Sequence, residues 1–290
     1  MATAGVHLLL GNRYERAVGE CGRRPRGHRD GPSSGRARRG GAAAPSPATR
    51  LPTEETALSD LLHRALVVQP APSRAVLAAA GLLALLAVAS NRSWPVARHV
   101  ITIVHEAGHA LVALCAGRRL AGIRLHSDTS GVTISSGRPH GPGVVCTVAA
   151  GYPAPALLGL GAAALVSTGR TALLLQLFVV LLVGVLVVIR NGFGLLSVVV
   201  SILIVLAVSV VAPDALRGGF AACVTWFLLI GGVRPVYEVS RSRRRQRGGG
   251  SDPDQLARLT GLPAGLWVAV FAVSSLACLA GGTALLAGVW

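Results

Sequence analysis

Lysine is missing from this chain. All 28 of its basic residues are arginine, set against 12 acids for a formal net charge of +16. That balance excludes an acidic or neutral enzyme surface. Charge of either sign is scarce, at 14% of 290 positions against 52% apolar residues, and a soluble fold of this length needs more charge to cover itself. Cysteine is sparse as well. Cys21, Cys115, Cys146, Cys223 and Cys278 form no C-x-x-C pair and four of them lie in apolar runs, which predicts neither disulfides nor a zinc-thiolate site. Aromatics are few, and the basic N-terminal block holds only Tyr14 to stack a base, so nucleic acid is not an expected partner. There is no internal repeat, and no pair of symmetric halves with matched carboxylates or broken helices, which excludes a transporter.

What is present is organised in blocks. Ten arginines fall within residues 1–50 and five within 241–247, while between residues 171 and 233 the only charges are Arg190, Arg217 and Asp214. Residues 1–57 are rich in Arg, Gly, Pro, Ser and Ala without apolar periodicity and are expected to form a disordered tail. The apolar stretch from His7 to Leu10 is too short for a signal-peptide core, so no cleaved secretory signal is expected. Residues 58–290 are expected to form one multi-pass membrane domain. Seven apolar segments, at about 75–90, 95–116, 144–167, 171–189, 194–212, 219–233 and 265–289, predict an all-α polytopic protein in a lipid bilayer with about seven transmembrane helices. The first and sixth are short for a ~30 Å hydrocarbon core. Arg118, Arg119, Arg124, Arg138, Arg190, Arg234 and the 241–247 cluster all fall in loops on one side, leaving Arg92, Arg170 and Arg217 on the other. The positive-inside rule then puts the N-terminus in the cytoplasm and Trp290 outside, in the cell membrane.

Two polar stretches carry structural signals. Residues 120–136 alternate Ile123/Leu125 and Val132/Ile134 around Asp128-Thr129-Ser130-Gly131, a small β-hairpin after the second span. In residues 251–264, Asp252 can cap a helix, Pro253 suits its first position, Leu256 and Leu259 share a face, and Gly261 with Pro263 ends it; this short helix is expected at the membrane surface.

The second span contains His105-Glu106-Ala107-Gly108-His109, an H-E-x-x-H motif. Residues four apart on a helix lie about 40° apart in azimuth and one turn up, so both imidazoles can reach one tetrahedral Zn²⁺ while Glu106 stands beside it as general base and acid for peptide hydrolysis by metal-activated water. A shuffled chain of this composition gives about 0.005 such matches, so chance is a poor account. Ionisable groups in mid-membrane are costly and read as functional, whereas the plain alternative is a pair of imidazoles bonded to neighbouring helices. His99 lies on another helix face, and His126 and His140 fall in the polar loop.

With these residues in place, the chain resembles the site-2 protease class of intramembrane zinc metallopeptidases, in a compact bacterial membrane-peptidase-like branch. The resemblance covers roughly residues 75–290 and rests on His105, Glu106 and His109, Gly117, the G-I-R-L…S-D-T-S-G-V-T hairpin, Ala150-Gly151-Tyr152, and Arg190-Asn191-Gly192-Phe193-Gly194. It implies a zinc ion within the bilayer and, as partner, a membrane-protein substrate whose transmembrane segment is hydrolysed after local unwinding. The class takes a third ligand from an Asp in an N-P-D-G or L-D-G motif, and here Phe193 stands where that Asp is expected. Two replacements are open. Asn191 has the right position but is a poor zinc ligand; Asp128 has the right chemistry but must fold back, and its plainer role is to close an Asx turn. Asp214 follows Pro213 and reads as a cap of the sixth span. Gly151-Tyr152-Pro153-Ala154-Pro155 should break the third span, either opening a path to the metal or simply packing tightly. The rival reading is a non-catalytic membrane scaffold or adaptor that keeps the motif. A carboxylate at the metal position favours the enzyme, and a position flanked only by Phe193 favours the scaffold.

Overall fold

The computed structural model describes residues 67–245 and 250–288, so the expected 1–57 tail lies outside the described residues. Helix α1 (Arg74–Ala89) starts at Ser73, whose hydroxyl accepts the Val76 N–H at 3.3 Å. Helix α2 (Trp94–Cys115) follows across a turn that bends the chain by 101°. The Ser90 hydroxyl accepts the Arg92 and Ser93 amides there, and the Ser93 hydroxyl donates to the Ala87 carbonyl. Gly117, at φ +69°, ends α2 by letting the Arg118 N–H turn back to the Ala113 carbonyl at 2.9 Å.

The expected hairpin is there. Strands β1 (Arg119–Leu125) and β2 (Gly131–Ser136) pair antiparallel with Ile123 opposite Thr133 and Arg124 opposite Val132. This register separates the apolar residues that the alternation pattern had grouped: Ile123 and Leu125 are buried, whereas Val132 and Ile134 are exposed. Residues opposite each other share a face, so the small polar residue Thr133, rather than Val132, is turned inward onto α2.

Helices α3 (Pro142–Ala149) and α4 (Pro153–Ser167) bend by 68° at Ala150-Gly151-Tyr152, where the prolines were expected to interrupt a span. After them come α5 (Thr171–Val188), α6 (Gly192–Val211), α7 (Asp214–Arg245), α8 (Asp252–Thr260) and α9 (Ala264–Ala287). The sixth apolar segment, read as a short span at 219–233, is the middle of α7, which carries Pro235 within it and continues through the polar residues to Arg245. Asp214 lies in the first turn of α7 and pairs with Arg217 at 2.9 Å, a favourable place for an acid against the helix dipole.

Against an expectation of about seven spans, the described residues hold four helices long and apolar enough to cross a membrane (α5, α6, α7 and α9), or up to six if each bent pair is one span. Leu82, Leu83 and Leu86 on α1, Val180 and Val187 on α5, and Val210 and Val211 on α6 are exposed, an apolar exterior that water would not tolerate but lipid does. The chain is a mostly helical, multi-pass membrane protein, with one small two-stranded sheet among the described residues.

Three buried clusters position the site. The largest joins α1, α2, α4, α5, α6, α7 and α9 through residues such as Ile101, Ala156, Leu175, Leu228 and Cys278. A second packs Ile103 and Ala110 of α2 against Ile123 and Leu125 of β1, which seats the hairpin on the motif helix. A third joins Val236 of α7, Leu256 of α8 and Phe271 of α9, with Tyr152 against it, and so pins the short helix α8 beside α2.

Candidate metal centre

α2 carries Arg98, Thr102, His105 and His109 along one face, at spacings of four, three and four residues. Glu106 and His109 are buried. The two Nε2 atoms are 3.1 Å apart with the rings edge to face. His109 Nδ1 lies 2.7 Å from the Thr147 carbonyl of α3, so its N–H donates there and Nε2 keeps a free lone pair for a metal, the arrangement that orients metal-binding histidines. Tyr152 meets His105 edge-on at 4.9 Å and stacks on Phe271 of α9, which holds the His105 ring from behind.

The group that joins the two imidazoles is Asp252. Its Oδ2 lies 3.2 Å from each Nε2, and His105, His109 and Asp252 form a group able to hold a metal ion. Sequence reasoning read Asp252 as a helix cap. In the structure Ser251 is the N-cap residue, its hydroxyl donating to Asp254 Oδ2 at 2.6 Å, and Asp252 begins the helix with its carboxylate turned onto the imidazoles. Burial pushes the Asp252 carboxyl up, but the hydrogen bonds and charges of His105 and His109 outweigh that and hold it well below the usual carboxylate range.

The donor set fits a zinc ion. Tetrahedral ligands at ~2.0–2.1 Å from a metal stand about 3.3 Å from one another, close to the 3.1 and 3.2 Å edges of this triangle. Asp252 Oδ2 is moreover a buried atom that faces both imidazole Nε2 atoms at 3.2 Å, where a cation shared by all three would lie. The close quarters explain Gly151, since a Cβ there would fall within 2.6 Å of His105 Cε1 and nearer still to His109 Nε2. The break in the third span is thus the place where backbone passes directly against the two imidazoles.

Glu106 is held from the hairpin. The Thr133 hydroxyl lies 2.6 Å from Glu106 Oε2, to which it donates, and 3.1 Å from the Glu106 carbonyl. Gly131 crosses over the same side chain, where an added Cβ would stand 2.7 Å from Oε1. A cavity of about 200 Å³ opens beside these groups, its walls including Arg98, Thr102, His105, Glu106, Tyr152 and Pro235.

The two residues offered for the third ligand stand elsewhere. Asp128 is exposed at the hairpin tip and accepts the Ser130 hydroxyl at 2.6 Å and the Ser130 amide at 3.0 Å, an Asx turn that holds its carboxyl below the ordinary value. Asn191 accepts the Leu125 N–H at 3.1 Å and donates to the Leu125 carbonyl at 2.6 Å, so its amide pairs with the outer edge of β1 as a neighbouring strand would. Phe193 packs against His99 at 5.3 Å. His126 lies 3.3 Å from the Ser130 hydroxyl, and His140 is exposed. The signal that could have found Asp252 is scarcity: from residue 75 onward the only aspartates are 128, 214, 252 and 254.

A multi-pass helical protein in which an H-E-x-x-H helix meets a partly buried carboxylate has the make-up of a membrane metallopeptidase. The chain belongs to the Peptidase M50B-like family, whose model matches residues 78–282, and this membership supports its kinship with the membrane metallopeptidases of the site-2 protease type. No curated protein and no solved structure matches the chain.

Proposed function

We propose that this chain is an intramembrane zinc metalloendopeptidase that cuts the transmembrane segments of membrane-protein substrates. The observation that carries the reading is the triangle of His105 Nε2, His109 Nε2 and Asp252 Oδ2, with edges of 3.1–3.2 Å, beside a buried glutamate. These three residues would hold the zinc. Bound there, zinc supplies Lewis acidity, polarising a carbonyl oxygen and lowering the pKa of water. Glu106 does the proton work. Its Oε2 is occupied by the Thr133 hydroxyl, which leaves Oε1 to take a proton from the attacking water and return it to the departing amine as the C–N bond breaks. Tyr152 and the Thr147 carbonyl keep the imidazoles aimed, and the hairpin covers Glu106.

The arginine bias supports a seven-span topology in which α1 and α2 cross separately and α3 with α4 form one broken span, the N-terminus cytoplasmic and the C-terminus outside. Reporters fused after Arg247 should read cytoplasmic and those after Trp290 external; the same side for both would remove one span from this count. A carboxylate in the triangle also disfavours the scaffold reading. The decisive measurement is metal analysis of the purified full chain. Roughly one zinc per chain is expected in the wild type and in Glu106→Gln, with no proteolysis by the latter, and none in His105→Ala or Asp252→Ala. Zinc retained in full by both of those last variants would defeat the assignment.

A further inference from the structure

The cavity beside Glu106 has a charged wall that the hydrolytic machinery does not use. Arg98 lines it, two turns before His105 on the same face of α2, which is about 10 Å along the helix axis. Its ion-pair partner is Glu238 of α7, but Glu238 is shared. Oε1 of Glu238 already accepts the Trp94 indole N–H at 2.8 Å and the Arg234 Nε–H at 3.1 Å. Its other oxygen lies 3.4 Å from Arg98 and, though buried, makes no hydrogen bond. Arg234 is taken up by Glu238, Asn91 and the Val88 carbonyl, and lies over the Trp94 ring at 4.7 Å. Two guanidinium groups thus face one carboxylate. The surplus positive charge falls on Arg98, whose side chain is 38% exposed and whose five donors are nearly all free.

We propose that Arg98 is a specificity residue that binds a carboxylate of the substrate about three residues from the bond cut. The proposal rests on the peptidase reading and adds the kind of segment that reading admits. An extended peptide advances ~3.3 Å per residue, so about three residues match the ~10 Å that separate Arg98 from His105 along α2. A guanidinium clamps a carboxylate with two parallel hydrogen bonds and gives nothing to an ammonium. The carboxylate is an aspartate or glutamate side chain, or the free end of a short chain; both present the same chemistry, and substrates with a blocked terminus separate them.

The test uses single-span peptides identical except for Asp, Asn or Lys at one position, scanned along the segment, with amidated and free termini, and the full-length protein in detergent. Binding is read first on Glu106→Gln, so that no cleavage is needed. The Asp peptide at one register should bind about tenfold tighter than Lys. Adding Arg98→Gln should flatten that difference, and adding Arg98→Glu should invert it. Cleavage by the otherwise wild-type chain should show the same order, with the cut mapped by mass spectrometry about three residues from the acid. A preference held only by free-ended peptides assigns the carboxylate to the chain terminus. Equal binding of Asp and Lys peptides at every register, or a preference that Arg98→Gln leaves intact, overturns the proposal. If the binding preference is found while the wild-type chain cuts none of the peptides, the specificity site stands and the peptidase reading fails.

Discussion

Helices α2 and α8 contribute to the same metal centre in opposite ways. α2 supplies two imidazoles and a carboxylate from five consecutive residues, brought to one side by helical spacing before any neighbour orients them. α8 is nine residues long, too short to be stable by itself, and supplies Asp252 only because Leu256 is buried between α7 and α9 and because Asp254 pairs with Arg243 of α7. One half of the site is local and the other is assembled by packing. Changes on α2 should therefore act on the ligands themselves, and changes around α8 on whether the third ligand arrives.

The largest effects fall where the halves meet. Asp252→Ala should abolish zinc retention as completely as His105→Ala, and Asp252→Asn should follow it closely because an amide binds zinc poorly; metal content after gel filtration reads both. Glu106→Gln should part from them by keeping the metal and losing proteolysis by ~10³-fold or more. Should Asp252→Ala hold its zinc, the assembled half of the site would be an illusion.

A smaller effect is expected one step back. Arg243→Ala and Asp254→Ala remove the ion pair that fastens the start of α8, and each should weaken zinc affinity by about 10-fold, as loss of an outer partner usually does, with the isolated changes on α2 unaffected. The double variant should be no worse than Asp254→Ala alone, because Arg243 acts through this pair, whereas Asp254 also holds the Ser251 hydroxyl. Zinc titration with a competing chelator measures this. Thr133→Val should leave affinity unchanged and lower kcat by about 10-fold, with Thr133→Ser restoring most of it, since that hydroxyl touches Glu106 and not the ligands.

The same contrast explains how much could be read from the sequence. The motif, the apolar segments, the hairpin and the break at Gly151-Tyr152-Pro153 all express periods or turn chemistry within a few neighbouring residues, and each has its counterpart in the structure. What depended on packing was not legible. Ser251-Asp252-Pro253-Asp254 contains every letter of a helix start, and an acid there favours the helix dipole whether or not it also meets two imidazoles. The length of α7 was hidden because its last third is polar and held by Trp94, Arg98 and Asp254 on other helices. The 101° turn between α1 and α2 was hidden because it is made by serine hydroxyls that mark a cap without fixing its angle.

The smallest effect belongs to Asp128, and it separates a local carboxylate from an assembled one. Asp128 closes its turn with two bonds from Ser130 and touches neither imidazole, so Asp128→Ala should change zinc affinity by less than about 2-fold. Its pH behaviour follows from the same bonds. They favour the charged form and depress the carboxyl below its ordinary 3.8, so the stability it gives the hairpin is fully present above that value and is lost only as the pH falls through the lower, folded one. The Ser130 amide resonance followed by NMR should therefore stay put through pH 5 and 4 and move only in stronger acid. Asp128→Asn, which keeps the turn without a charge, should remove that acid-dependent movement. Movement at or above the ordinary carboxylate range would mean that Ser130 does not hold Asp128 as described, and loss of zinc in Asp128→Asn would return Asp128 to the metal.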